Sequence, residues 1–183
     1  MKYVLIVAGL LMMVIPSNKA IGQSEAQAMV TGVVEFELAL SSIDGDWGLF
    51  ASGNTYVVTP SGLKNPPGPG EGAGIVVTPV GFELSGNAGS DVHISLVLPG
   101  SFISDDESGE LVVSNWNYGW NYDNDPTATF NGTGQVTGNG ISVTVGGGAM
   151  SGLFLGATVT VPNATFPGSY TAQIIASAAY MGN

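Results

Sequence analysis

The sequence lacks cysteine and arginine altogether, and its 183 residues include one histidine and three lysines. Without cysteine the protein has no disulfide, no thiol nucleophile and no cysteine-ligated zinc. A single imidazole also excludes a metal site built from several histidines. Two of the three lysines lie within the first 22 residues. Lys64 is the remaining lysine. Nucleic acids and phosphate-rich ligands require clustered positive charge, which a single lysine does not supply.

Charge is scarce overall, and what there is has one sign. Charged residues make up 9% of the chain, and 14 acidic residues give a formal net charge of −11. Hydrophobic residues make up 44%, so the composition is not that of a charge-rich disordered chain. The 28 glycines disfavour long helices and are typical of many turns between short strands.

Residues 1–22 have the pattern of a secretory signal peptide. Lys2 precedes an uncharged apolar run over residues 4–15, which is shorter than the roughly 20 residues of a membrane-spanning helix. Residues 20–22 then fit a cleavage site with small residues at both ends. A membrane anchor or a buried N-terminal helix is the alternative interpretation. We predict a signal peptide and a single exported domain over residues 23–183, with no membrane span in the mature chain.

Apolar and polar residues alternate through most of the predicted mature chain, as they do in half-buried β-strands. The predicted strands cover residues 30–40, 56–60, 74–78, 80–84, 91–98, 111–118, 140–145, 153–161 and 170–180. Clusters of Gly, Pro, Asn, Asp and Ser separate them, and the longest, residues 63–74, is predicted to be an exposed loop. No segment has a helical period. The fold class is therefore all-β, a single antiparallel β-sandwich.

Five short motifs carry a resemblance to a known family. They are Asp46-Trp47-Gly48, residues 57–62 (VVTPSG), 81–86 (GFELSG), 92–99 (VHISLVLP) and 166–171 (FPGSYT). Together they resemble the bacterial domain of unknown function 4402 family over about residues 29–181, with Trp47 replacing the family's usual Phe. The resemblance implies an immunoglobulin-like sandwich, similar to pilin-like and spore-coat-like secreted proteins. It implies a structural or adhesive role and supplies no catalytic residues.

Catalytic arrangements find little support in the sequence. A Ser-His-Asp triad would have to use His93, which alternates with core positions on a predicted strand and so lies on the less buried face. Paired carboxylates could hydrolyse glycosides, but no motif distinguishes any pair. We therefore predict no enzymatic activity and no cofactor.

Three acidic turns are weak candidates for calcium sites, because hard cations prefer oxygen ligands. The candidate ligands are Asp44, Asp46, Asp105, Asp106, Asp123 and Asp125. None of the turns completes the EF-hand pattern. Acidic turns are more often solvated loops in which Asp accepts hydrogen bonds from its own backbone.

An aromatic ladder occupies the segment before residue 123. Trp116, Tyr118, Trp120 and Tyr122 alternate with Asn or Gly, so on a strand the four rings share one face. Three interpretations remain open. The rings pack within the protein, contact another subunit, or stack on sugar rings, since aromatic residues with a polar tip are favoured at interfaces.

The first predicted strand carries a one-sided apolar face. Its members are Val30, Gly32, Val34, Phe36, Leu38 and Leu40, and Glu35 and Glu37 lie on the opposite face. Such a strand either completes its own sandwich or inserts into an open groove of a neighbouring subunit, as in strand addition. Gly32 suits a close approach of two backbones.

The sequence predicts a secreted, non-enzymatic structural subunit of a cell-surface or extracellular assembly. Its specific form is a pilus-like filament of copies joined by β-strand addition. The alternative is a secreted carbohydrate-binding or adhesive module that uses the aromatic ladder as its platform. The expected partners are other copies of the chain or glycans.

Overall fold

The computed structural model describes residues 37–138, 140–148 and 150–181. Within those ranges the chain forms β-strands joined by turns and loops, and it has no helix, so none that could cross a membrane. The predicted leader and residues 23–36 lie outside the described residues. All pairings between the described strands are antiparallel, which confirms the predicted all-β fold class.

Twelve strands are described. They are β1 (Ala39–Ile43), β2 (Thr55–Val58), β3 (Lys64–Asn65), β4 (Val80–Ser85), β5 (Asp91–Val97), β6 (Ser101–Ser104), β7 (Glu110–Asn121), β8 (Gly132–Gln135), β9 (Gly140–Thr144), β10 (Met150–Thr160), β11 (Tyr170–Thr171) and β12 (Ile175–Tyr180). Nine form a large curled sheet in the order β1-β4-β10-β7-β6-β11, with β2 beside β10, β3 beside β2 and β8 beside β7. The other three form a second sheet in the order β12-β5-β9.

The core contains apolar residues contributed by both sheets, consistent with a β-sandwich. On β5, Val92 and Ile94 are fully buried while His93 between them is half-buried, as strict alternation requires. The central strand β10 contributes Leu153, Leu155, Ala157 and Val159, all at most 1% exposed. This strand is buried along most of its length because β4 and β2 pair with one edge and β7 pairs with the other.

A β-bulge divides β7 and changes which residues face the core. Asn115 has a φ of 51°, and Asn115 and Trp116 together lie opposite Ala157. Leu111 and Val113 face the core before the bulge, whereas Trp116 does so after it. The extra residue therefore explains why the apolar period of this strand shifts by one position midway.

The structure corrects several predicted segments. Residues 74–78 form isolated bridges rather than a strand. Residues 170–180 form two strands instead of one, because β11 pairs with β6 in the large sheet and β12 pairs with β5 in the small one. Residues 63–74 are not wholly an exposed loop, since Lys64 is 1% exposed and lies in β3.

Candidate functional site

An open groove runs along one side of the sandwich. One wall consists of β1 and residues 44–50, and the other consists of residues 165–178. The larger section has a volume of about 890 Å³ and the smaller about 370 Å³. Ser42, Phe82, Gln173 and Ile174 line both sections, so the two are continuous.

The smaller section of the groove lies between strands at the edges of the two sheets. Among the described residues, β1 pairs with β4 alone and β12 pairs with β5 alone. The remaining edge of each strand is therefore without a described ladder partner. An unpaired edge exposes a row of backbone N–H and C=O groups, which is a template for an additional strand.

The groove is lined by both apolar and polar side chains, and its apolar members include aromatic rings. Trp47 lies on the floor, with its ring 5.3 Å from that of Phe102 and 5.8 Å from that of Trp116. The rim includes three exposed apolar side chains, Leu49, Phe166 and Ile175, which are 61%, 65% and 56% exposed.

The indole of Trp47 is an unusual feature of the floor. The side chain is 7% exposed, and its Nε1–H has no hydrogen-bond partner. Buried donors are normally paired, and an unpaired one costs free energy. A strand entering the groove would bring peptide carbonyls, which are acceptors of the required kind.

Residues 46–48 hold Trp47 in place. The backbones of Asp46 and Thr78 exchange two hydrogen bonds of 2.9 and 3.0 Å, which fix the wall to the neighbouring segment. The Oδ1 of Asp46 accepts a 2.9 Å hydrogen bond from the Gly48 N–H. Gly48 has a φ of 69°, a conformation that side chains rarely adopt, so the chain turns sharply after Trp47. The Asp-Trp-Gly motif thus directs the indole inward.

A buried ion pair secures the same wall from behind. The Lys64 ammonium lies 2.9 Å from Oε2 of Glu71, donates to the Leu49 carbonyl oxygen, and lies 4.4 Å from the centre of the Phe50 ring. Glu71 in turn accepts hydrogen bonds from the N–H groups of Leu49, at 3.0 Å, and Gly68, at 2.6 Å. The pair therefore connects the 63–74 loop to the groove wall. Sequence reasoning missed this role, although the lone lysine after residue 22 was a signal.

The electrostatics of Glu71 follow from these contacts. Desolvation raises the pKa of the carboxyl, but hydrogen bonds from Leu49, Lys64 and Gly68 and the charge of Lys64 outweigh it. The net result is a pKa below the usual value of 4.5.

We expect this carboxylate to make the fold sensitive to acid. Because its pKa is lower in the folded state, its contribution to stability is complete above about pH 4.5 and is lost as the pH falls through the folded value. Urea denaturation of the native protein and of Glu71→Gln between pH 7 and 3 measures this contribution. The difference between their free energies of unfolding should be constant above pH 5 and shrink below pH 4.5. A difference independent of pH would contradict the assignment.

The acidic turns form local hydrogen bonds. Asp106 accepts from the hydroxyls of Ser108 and Ser104 and from the Ser108 N–H, and these bonds lower its pKa to about 2. The hydroxyl and N–H of Thr127 similarly lower the pKa of Asp125. In the described part of the chain, no three His, Cys, Asp or Glu side chains come close enough to hold a metal ion. The structure therefore does not bring the six calcium candidates together.

The aromatic ladder lies largely inside the protein. Trp116 is buried, belongs to the core and lines the groove floor, and its Nε1–H donates to the Pro99 carbonyl oxygen at 3.1 Å. Tyr118 and Trp120 are half-buried and pack against the core. Tyr122 is 44% exposed and makes an edge contact with Trp120 at 5.2 Å. These positions fit packing within the protein better than a continuous glycan platform.

The predicted first strand is described only at its end. Leu38 and Leu40 are half-buried and line the smaller section of the groove, and Glu37, Ala39 and Ser41 between and beside them are exposed. Val30, Gly32, Val34 and Phe36 lie outside the described residues. Comparison with known proteins adds no constraint, because no family model, curated protein or solved structure matches the chain.

Proposed function

We propose that the protein is a secreted, non-enzymatic structural subunit of a cell-surface or extracellular assembly, whose groove accepts an additional β-strand from a partner. The observation that carries the proposal is the groove whose smaller section lies between β1 and β12, with Leu49, Phe166 and Ile175 exposed along it. A strand placed beside the edge of β1 or of β12 would pair with that edge and cover the aromatic side chains of the floor. The leader pattern of residues 1–22 supports export, and the small number of charges suits sheet packing between copies.

Strand addition makes two chemical demands on a groove. Main-chain hydrogen bonds supply affinity without regard to sequence, and they need unpaired edges. Side-chain pockets fix the register, and they need an apolar floor that receives every second residue of the incoming strand. A polar or strongly charged peptide would leave the exposed Leu49, Phe166 and Ile175 uncovered, so the partner strand should be apolar on one face.

We expect charges on the groove rim to prevent assembly. The variants Leu49→Asp and Ile175→Asp introduce a carboxylate that the partner strand would remove from water. An unpaired buried charge is costly, so we expect these variants not to bind the strand. The control Val112→Asp changes a side chain that is 47% exposed on β7 and does not line the groove. Size-exclusion chromatography and electron microscopy of the mature protein should show ordered polymers for the native chain and the control, and monomers for the rim variants.

Two outcomes would overturn the proposal. A native mature chain that stays monomeric at high concentration would exclude assembly from copies of this chain. Polymers formed equally well by the rim variants would show that assembly uses another surface. Circular dichroism of each variant checks that the fold is intact.

A further inference from the structure

We infer that the larger section of the groove binds a neutral saccharide, through the polar side chains that line it and the exposed ring of Phe166. The inference goes beyond the proposed structural role, and it does not require copies of the chain to assemble. The site also differs from the platform predicted from the sequence, because Tyr118, Trp120 and Tyr122 of the aromatic ladder do not line the groove.

The larger section differs from the smaller one in the backbone of its walls. Residues 44–50 and 161–169 lie outside the strands, and among them only Asp46 forms a β-bridge, with Thr78. These walls therefore offer an incoming strand little edge to pair with. The volume of about 890 Å³ lies within the range of ligand pockets, roughly 300–1,000 Å³. Side chains must supply most of the specific contacts of a ligand in this section.

Polar side chains with free hydrogen-bonding groups line this section. Those of Ser42, Asp44 and Gln173 are exposed and form no hydrogen bond with any described residue. Asp46 accepts a hydrogen bond from the Gly48 N–H at Oδ1, and its Oδ2 accepts none from the described residues. The carboxylates are acceptors, whereas the hydroxyl and the amide both donate and accept. A ligand that carries hydroxyl groups can bond to all of them, because a hydroxyl also donates and accepts.

Aromatic rings lie beside these polar groups. Phe166 is 65% exposed, and its carbonyl oxygen accepts a 2.7 Å hydrogen bond from the Tyr170 hydroxyl, which ties residues 161–169 to β11. Phe50 and Phe102 are half-buried and line the same section. A pyranose ring has C–H groups on its faces and hydroxyls around its edge. It can therefore stack on an aromatic ring while its edge bonds to polar side chains.

The charges around the section favour an uncharged ligand. The described residues that line it include no lysine, arginine or histidine, whereas Asp44 and Asp46 are both exposed. Lys64 is enclosed behind the wall and paired with Glu71. A uronic acid polymer would bring its carboxylates towards two others with no cation to offset them, on a chain of net charge −11. A cationic ligand would be attracted instead, and its affinity would fall with added salt.

Binding of oligosaccharides to the mature chain tests the inference. On an array of neutral and uronic acid oligosaccharides, we expect the protein to bind neutral members only. Titration calorimetry with the best neutral oligosaccharide should give the same affinity at low and high salt. Asp44→Ala should weaken that affinity about 10-fold to 100-fold, because it removes a charged hydrogen-bond acceptor. Phe166→Ala should weaken it about 2-fold to 10-fold, because it removes the exposed ring.

Two matched variants change similar side chains outside the groove. Tyr122→Ala removes a ring that is 44% exposed, and Asp123→Ala removes an exposed carboxylate. Neither residue lines the groove, so both variants should bind the oligosaccharide like the native chain. Thermal unfolding of all four variants checks that each keeps its fold.

The possible outcomes separate this inference from the proposed function. Affinity for a neutral oligosaccharide that falls in the two groove variants and in neither control supports the inference, even if the native chain is monomeric. No binding of any neutral member overturns it and leaves assembly unaffected. Loss of binding in Tyr122→Ala but not in Phe166→Ala also overturns it, because the aromatic ladder is then the site. Salt-sensitive binding of spermidine alone would instead indicate a site for cations and overturn it.

Discussion

Replacing Glu71 with Gln is expected to lower the free energy of unfolding by about 3–5 kcal/mol, because it leaves a buried ammonium without its counter-charge. The side chain of Lys64 is 0% exposed and that of Glu71 is 13% exposed. The penalty is therefore larger for removing the carboxylate than for removing the lysine, since an orphaned Glu71 still reaches water. Urea denaturation at pH 7 measures both single variants.

A matched substitution and a double variant make this prediction specific. Glu110→Gln removes an exposed carboxylate on β7 and should change stability by less than about 0.5 kcal/mol. Replacing both partners with apolar residues, as Lys64→Met with Glu71→Leu, should recover much of the loss, because no buried charge then remains. If Glu71→Gln behaves like the Glu110 control, the ion pair does not secure the groove wall.

Truncating Leu155 to Ala is expected to cost about 2–5 kcal/mol, since a large buried side chain leaves a cavity. Leu155 is 0% exposed on the central strand, opposite Tyr118 on β7 and Val80 on β4. Neighbours on two paired strands cannot easily collapse into the space. The matched change Leu49→Ala removes the same atoms from a side chain that is 61% exposed.

Thermal and urea unfolding of these two variants should differ clearly. Leu49→Ala should lie within about 0.5 kcal/mol of the native protein, because its methyl groups already contact water. Equal destabilisation by the two changes would mean that β10 is not the centre of the core. Loss of assembly by Leu49→Ala without loss of stability would instead agree with its position on the groove rim.

Alternation was sufficient to predict most of the strands that carry the core. β4, β5 and β9 fall within or close to their predicted ranges because large apolar residues alternate with small or polar ones, and β10 does so although Phe154 and Gly156 on its other face are also buried. β8 escaped prediction because glycine occupies alternate positions of the strand. The rings of Trp120 and Tyr118 lie where side chains of Gly132 and Gly134 would be, so the strand depends on its neighbour for apolar surface.

The candidate site was harder to foresee because it is assembled from distant segments. Sequence reasoning identified the Asp46-Trp47-Gly48 motif and the apolar end of the first strand, but it had no means of placing them beside residues 165–178. It also assigned Lys64 to an exposed loop. Lys64 can be buried because its ammonium contacts Glu71, the Leu49 carbonyl oxygen and the Phe50 ring. These contacts come from different parts of the chain, so local composition does not predict them.

The all-β class, the alternating core positions and the exclusion of thiol and multi-histidine chemistry follow from the amino-acid sequence alone, because each depends on local period or on residue counts. Long-range strand pairing was needed to show that the final predicted strand divides between the two sheets, that Trp116 is buried and that a groove opens beside β1 and β12. The arrangement of neighbouring strands decides which edge of a strand has no partner. Residues far apart in the sequence form those pairings, so local patterns do not predict them.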